Sequence, residues 1–132
     1  MTDTIPNPKK ILFVDDDTFL LDMYAVKFKN NGWDVRTCDN AENALKVLRG
    51  GYVPDAMLVD IIMPGMDGIE FLSVVRKENL AAGAALILLT NQGLPDDVAK
   101  AKELNVDGYI IKATTIPSDV LRETEKILAN KK

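Results

Sequence analysis

The chain has 132 residues, enough for one domain with a substantial core and too few for two. Its 47% apolar and 27% charged residues give a globular balance, and a net charge of −4 with no basic stripe argues against nucleic-acid binding, which needs concentrated positive surface. Cys38, the single cysteine, excludes an internal disulfide, no apolar run reaches about 18 residues, and the N-terminus lacks a signal-peptide core, so a soluble, cytoplasmic protein with no membrane partner is expected.

Residues 1–8 read as a flexible N-terminal tail and residues 9–132 as the domain. Ile11-Leu12-Phe13-Val14 has the character of a buried strand, stopped by Asp15-Asp16-Asp17. A helix over residues 18–31 follows, with Asp17 as its N-cap, Leu20, Tyr24 and Phe28 on one stripe and Gly32 as the stop. Phe19, Leu21 and Val26 fall off that stripe and suggest an apolar surface on the first helix. Residues 35–38 form a short strand, and Asn40 caps a helix that runs to Arg49 before Gly50-Gly51. A third strand over residues 57–59 ends on Asp60. Pro64, Gly65 and Gly68 shape the turn beyond it, and a helix lies near residues 69–78. The fourth strand, residues 86–89, ends at Thr90 and is followed by a helix over residues 95–104. The fifth, residues 109–111, ends at Lys112. Thr115 lies near the N-cap of a last amphipathic helix over residues 117–129.

Strands one, three, four and five are continuous apolar runs, the pattern of strands covered on both faces in a parallel sheet. Five successive β–α units make a three-layer α/β sandwich with right-handed crossovers. In such sheets ligands bind beyond the carboxyl ends of the strands. Asp15-Asp16-Asp17, Asp60, Thr90 and Lys112 all stand there.

The chain contains no histidine, which removes Ser-His-Asp and Cys-His catalysis, imidazole metal ligation and phosphohistidine. Carboxylates, lysines, hydroxyls and a hard metal ion remain. Two carboxylates about 4 Å apart repel by about 4 kcal/mol at an effective dielectric of about 20, so a cluster of them recruits a cation or raises a pKa. With only oxygen donors at hand Mg²⁺ is the natural ion, since it retains waters and leaves room for a phosphate. Lys112 can pair with phosphate oxygens, Thr90 can hydrogen-bond to one, and a central Asp60 can act as a nucleophile that yields an acyl phosphate.

These residues resemble those of bacterial response regulator receiver domains, the fold group of the chemotaxis regulator. The motifs "ILFVDDD", "LVDIIMPGMDG", "LILLTNQG" and "DGYIIK" carry the resemblance over essentially the whole chain, in the family's order and spacing. It implies a flavodoxin-like (βα)5 fold with a parallel sheet of order 2-1-3-4-5. It implies Asp60 as phosphoacceptor, with Asp15, Asp16, Asp60 and the backbone carbonyl of Ile62 as Mg²⁺ ligands. Thr90 and Lys112 would contact the phosphoryl group, and Tyr109 would be the aromatic switch that follows Thr90. Two departures stand out. Lys112 precedes Ala113 where the family usually has proline, often with a cis bond, and Ile62 occupies a position that is polar in some members, leaving Gln92 as a polar side chain able to approach the site.

The resemblance therefore implies a stand-alone phosphorylation switch of a two-component phosphorelay, not an enzyme apart from assisting its own phosphorylation and dephosphorylation. It would receive its phosphoryl group from a histidine kinase or histidine phosphotransfer protein and signal through protein–protein contacts to an unidentified target. The output face would lie around Lys100, Tyr109 and Arg122, the protein being a monomer or a weak phosphorylation-dependent dimer. Two alternatives compete. A haloacid-dehalogenase-type Mg²⁺ phosphatase also uses a strand-end Asp, but its Asp-x-Asp-x-Thr/Val motif meets Asp15, Asp17 and Phe19 here. A pseudo-receiver would bind partners without being phosphorylated.

Overall fold

Strands and helices alternate along the chain in the computed structural model, which describes residues 8–90, 95–112 and 115–131, with only the backbone described for 95–98. The expected tail falls almost wholly outside these residues, as do Gln92 and the Lys112–Ala113 bond. The elements are β1 (Lys10–Val14), α1 (Thr18–Lys29), β2 (Asp34–Cys38), α2 (Ala41–Arg49), β3 (Ala56–Asp60), α3 (Gly68–Lys77), β4 (Ala85–Thr90), α4 (Pro95–Glu103), β5 (Gly108–Ile111) and α5 (Pro117–Asn130). The five strands pair in parallel in the order β2-β1-β3-β4-β5, as expected.

The apolar runs explain the layering. Alternate side chains of each strand point to opposite faces, so a strand buried on both faces is apolar throughout. Leu12, Met57, Leu86 and Leu88 join Ala44, Leu48, Phe71 and Val75 from α2 and α3 on one face. Phe13, Leu58 and Ile87 meet Tyr24 and Phe28 of α1 and Val120 and Leu121 of α5 on the other. Phe13 stacks on Tyr24 with ring centroids 5.4 Å apart and meets Phe28 edge-on at 5.0 Å. Truncating it to alanine would cost about 3–5 kcal/mol. β2, at the sheet edge, is mostly exposed and carries Asp34 and Arg36, which discourages edge-to-edge pairing.

Local signals set most boundaries. The Asp17 carboxylate accepts the Leu20 N–H at 3.1 Å, Asn40 accepts the Asn43 N–H at 2.7 Å, and Asp67 with Glu70 forms a capping box on α3. One expectation is corrected. The buried stripe of α1 is Leu21, Tyr24 and Phe28, spaced i, i+3, i+7, with Leu20 only partly buried, so Tyr24 and Phe28 face the sheet as expected and only the first member of the stripe changes. Phe19 and Val26 remain exposed at 70% and 60%. Thr115 lies next to the α5 N-cap, Ile116, as expected; the cap itself makes no side-chain bond, while the Thr115 hydroxyl donates to the Ile111 carbonyl at 2.6 Å and closes the end of β5.

Candidate functional site

Strand register brings the site together. β3 is central, and its last residue, Asp60, lies opposite Leu89 of β4, while Thr90 lies opposite Ile111 of β5. The period-two alternation sorts the strand ends. Asp15 follows Phe13, Asp60 follows Leu58, and Lys112 follows Ile110, each two residues on, and all three of these apolar residues belong to the α1/α5 face. Thr90 follows Leu88 on the opposite face, where Tyr109, paired with Leu88, packs half-buried against the α2/α3 core.

Asp15 and Asp60 are almost fully buried, at 2% and 7% exposure, whereas Asp16 is exposed. Carboxylate oxygens of Asp15, Asp16 and Asp60 lie within 4.8 Å of one another. Lys112 Nζ donates to Asp15 Oδ2 at 2.7 Å and stands 3.4 Å from Asp60 Oδ2. Asp15 Oδ1 accepts the Asp17 N–H at 2.9 Å, and the Asp15 N–H donates to the Cys38 carbonyl at 3.1 Å, fixing the acid between β1 and β2. The Ile62 N–H approaches Asp60 Oδ1 at 3.4 Å, so this residue, 66% exposed, adjoins the site.

The electrostatics follow from this crowding. Burial, and then the negative charge of Asp15, push the Asp60 carboxyl up to about 6; Lys112 and the Ile62 N–H oppose this without cancelling it. Burial works to lower the Lys112 pKa, but its bond to Asp15 and the charges of Asp15 and Asp60 hold the ammonium above its ordinary value. Three carboxylates against one ammonium leave two negative charges in a small volume. The donors are all oxygens, and Asp16 opens the cluster to solvent. That set fits a hard divalent cation of the Mg²⁺ type.

Two features of the site go further than the sequence patterning. Lys112 is engaged with Asp15 more closely than with Asp60. Gly68 is required by close approach, because a Cβ there would lie 2.2 Å from the Asp60 carbonyl oxygen. Its N–H donates to the Ile61 carbonyl at 2.8 Å, so the start of α3 is pinned to the turn that leaves Asp60. Gly65, with φ at 76°, supplies the left-handed bend in that turn.

The strand ends thus bring three acids, a lysine and a hydroxyl together on one edge of a doubly wound parallel sheet. The chain belongs to the response regulator receiver domain family, whose model matches residues 11–123. It is 30% identical over 115 residues to the probable transcriptional regulatory protein TcrX of Mycobacterium tuberculosis, covering 87% of this chain and 48% of that one. It is 33% identical over 104 residues to the DNA-binding response regulator MtrA of Mycobacterium leprae, covering 79% and 44%. The chain thus spans about half the length of these curated relatives. A response regulator receiver domain protein (CheY-like) of Methanospirillum hungatei superposes with a TM-score of 0.85 at 27% identity, covering 94% of this chain and 96% of that one. The chemotaxis protein CheY4 of Vibrio cholerae shares the fold, with a TM-score of 0.83 at 24% identity, covering 91% and 98%. Among the described residues no helix is long and apolar enough to cross a membrane.

Proposed function

We propose that this protein is a phosphorylation-driven signalling switch in which Asp60 accepts a phosphoryl group from the phosphohistidine of a histidine kinase or histidine phosphotransfer protein. The observation that carries this is the buried Asp60 carboxylate at the end of the central strand, 3.4 Å from the Lys112 ammonium and within reach of Asp15 and Asp16. An Asp60 oxygen forms the new bond to phosphorus as the P–N bond to the donor imidazole breaks, and the donor keeps the electron pair and takes up a proton. Asp60 thereby becomes an acyl phosphate. Lys112 turns from Asp15 toward the phosphoryl oxygens and offsets their charge, and the Thr90 hydroxyl donates to one of them. Asp15, Asp16, Asp60 and the Ile62 carbonyl are the residues that would hold Mg²⁺, which when bound neutralises the charge of the cluster and of the incoming phosphoryl group. Hydrolysis of the acyl phosphate by water returns the protein to its resting state.

The donor docks on α1. Phe19, Met23, Val26 and Pro117 line an apolar groove of about 490 Å³ whose near end, Phe19, stands three residues beyond Asp16. An amphipathic helix of the donor suits such a groove. Output runs through α4, β5 and α5: movement of Thr90 toward the phosphoryl group vacates space for the Tyr109 ring, a two-state element biased by one ligand. Exposed Lys100 and Arg122, the latter paired with Asp119, flank that face. The signal then leaves by contact with a protein target, in the cytoplasm.

Intact mass after incubation with acetyl phosphate and Mg²⁺ tests the reading. A gain of one phosphoryl group is expected, abolished by EDTA and by Asp60→Asn. A gain that survives both would rule it out, and no gain in wild type would leave a pseudo-receiver as the description.

A further inference from the structure

The two flanks of α1 differ in chemistry. On one, Phe19, Met23 and Val26 line the apolar groove. On the other, a second hollow of about 340 Å³ opens between the start of α1, the end of β2 and the start of α2. Asp22 lines both, so groove and hollow meet across one residue. The hollow has an apolar floor of Leu21 and Cys38, both buried. Burial, and then the charge of Asp39, push the Cys38 thiol up, which keeps it neutral. The rim is polar, with the exposed carboxylates of Asp22 and Asp39 and the hydroxyls of Thr18 and Thr37. Asp39 Oδ1 accepts from Asn40 Nδ2 at 3.0 Å, but among the described residues neither acid is in an ion pair. Arg36 of β2 is engaged elsewhere, its guanidinium lying 4.4 Å from the centre of the Tyr52 ring. The hollow also adjoins the acid cluster: Thr18 stands two residues beyond Asp16, and the Cys38 carbonyl accepts the Asp15 N–H at 3.1 Å.

An apolar floor under a rim of acceptors, with two carboxylates and no cation in the lining, is complementary to an arginine side chain, which has an alkyl stem and a planar head made only of donors. The starts of α1 and α2 each add about half a positive charge nearby, which two full carboxylate charges outweigh. An ammonium suits the hollow less well. Its donors radiate from one point, whereas the acceptors come from α1 on one side and from β2 and α2 on the other. We propose that this hollow is a docking subsite for an arginine of the phosphodonor protein, carried on the flank of the helix that lies in the Phe19 groove. This rests on the phosphorylation reading above and names the chemistry of the donor's surface. The subsite offsets an electrostatic difficulty of the transfer. The donor brings an anionic phosphoryl group toward a cluster in which three carboxylates face one ammonium, so the reacting groups repel. A donor cation held beside that cluster supplies attraction and fixes the register of the donor helix. Acetyl phosphate carries no such helix and gains nothing from the subsite.

The test compares transfer from a phosphorylated histidine phosphotransfer domain that labels wild type with labelling by acetyl phosphate and Mg²⁺, in wild type, Asp22→Asn, Asp39→Asn and the double variant. At about 50 mM salt each single variant should lower kcat/KM for the protein donor at least about threefold, and the double variant about tenfold, through KM more than kcat. At about 500 mM salt the differences should largely close, because exposed charges are then screened within a few ångströms. Acetyl phosphate labelling and melting temperature should be unchanged throughout, since both acids are exposed. On the donor, replacing arginines near the phosphohistidine one at a time should reveal one whose loss is not additive with Asp22→Asn. Unchanged transfer in the double variant, equal slowing with both phosphodonors, slowing that ignores salt, or no coupled donor arginine would each overturn the subsite. Failure of acetyl phosphate to label wild type would instead overturn the phosphorylation reading itself, and the subsite with it.

Discussion

Replacing Asp60 by asparagine should stabilise the metal-free protein at neutral pH, and the structure sets the size of the effect. The carboxyl is pushed from an ordinary 3.8 to about 6, by burial first and by Asp15 second. A raised carboxyl means the folded state holds the proton more tightly than the unfolded chain. The penalty is therefore absent below about pH 4, grows between about pH 4 and 6, and is fully present above that. A shift of about two units corresponds to about 3 kcal/mol at 1.36 kcal/mol per unit. Asp60 is only 7% exposed, so solvent screens little of this. Asparagine also removes the longer of the two Lys112 contacts but leaves the 2.7 Å pair with Asp15 intact, so a net gain of about 1–3 kcal/mol is expected. For a chain of this size that is roughly 4–12 °C in melting temperature, at about 4 °C per kcal/mol. The assay is urea denaturation of wild type and Asp60→Asn in EDTA from pH 4 to 8. The difference between the two curves should vanish near pH 4, rise to its plateau above pH 6, and shrink again when Mg²⁺ binds and stabilises wild type by linkage. An Asp60→Asn protein less stable than wild type at pH 7.5, or a difference that does not change with pH, would refute the electrostatic reasoning.

Ile62 adjoins the site with a side chain that can neither orient nor donate to a water, so Ile62→Asn should shorten the life of the phosphorylated protein about tenfold, or about 1.4 kcal/mol of barrier, when decay is followed after donor removal. Equal rates would mean that Ile62 does not govern water access. Phe19→Asp should slow phosphotransfer from a protein donor by at least tenfold while leaving acetyl phosphate labelling intact; equal loss with both donors would show that the groove on α1 is not the cause. Gly68→Ala places a Cβ 2.2 Å from the Asp60 carbonyl oxygen, so the turn must shift, lowering stability by about 1–3 kcal/mol and impairing labelling; thermal melts and acetyl phosphate labelling read both.

The sequence by itself determined the element order and the set of strand-end side chains. Buried parallel strands have to be apolar throughout, so Asp15, Asp60 and Lys112 mark where the strands stop, and Asp17 and Asn40 announce helix starts through local bonds that depend on three neighbouring residues. Membership of the receiver family was legible for the same reason, since its motifs sit at those stops. What involves two elements at once was decided by tertiary structure. Whether Leu20 or Leu21 of α1 is buried depends on the exact angle at which the Tyr24–Phe28 face meets the sheet, since the two leucines flank that face on either side. Thr115 had the residue type of a cap, yet its hydroxyl found the Ile111 carbonyl because β5 ends within its reach. The pairing of Lys112 with Asp15, 97 positions apart, depends on strand register, and the raised pKa of Asp60 depends on how much water that packing excludes. That Arg76 of α3 donates to the Leu104 and Asn105 carbonyls at the end of α4 depends on how two helices lie side by side, a long-range geometry that no local residue pattern encodes.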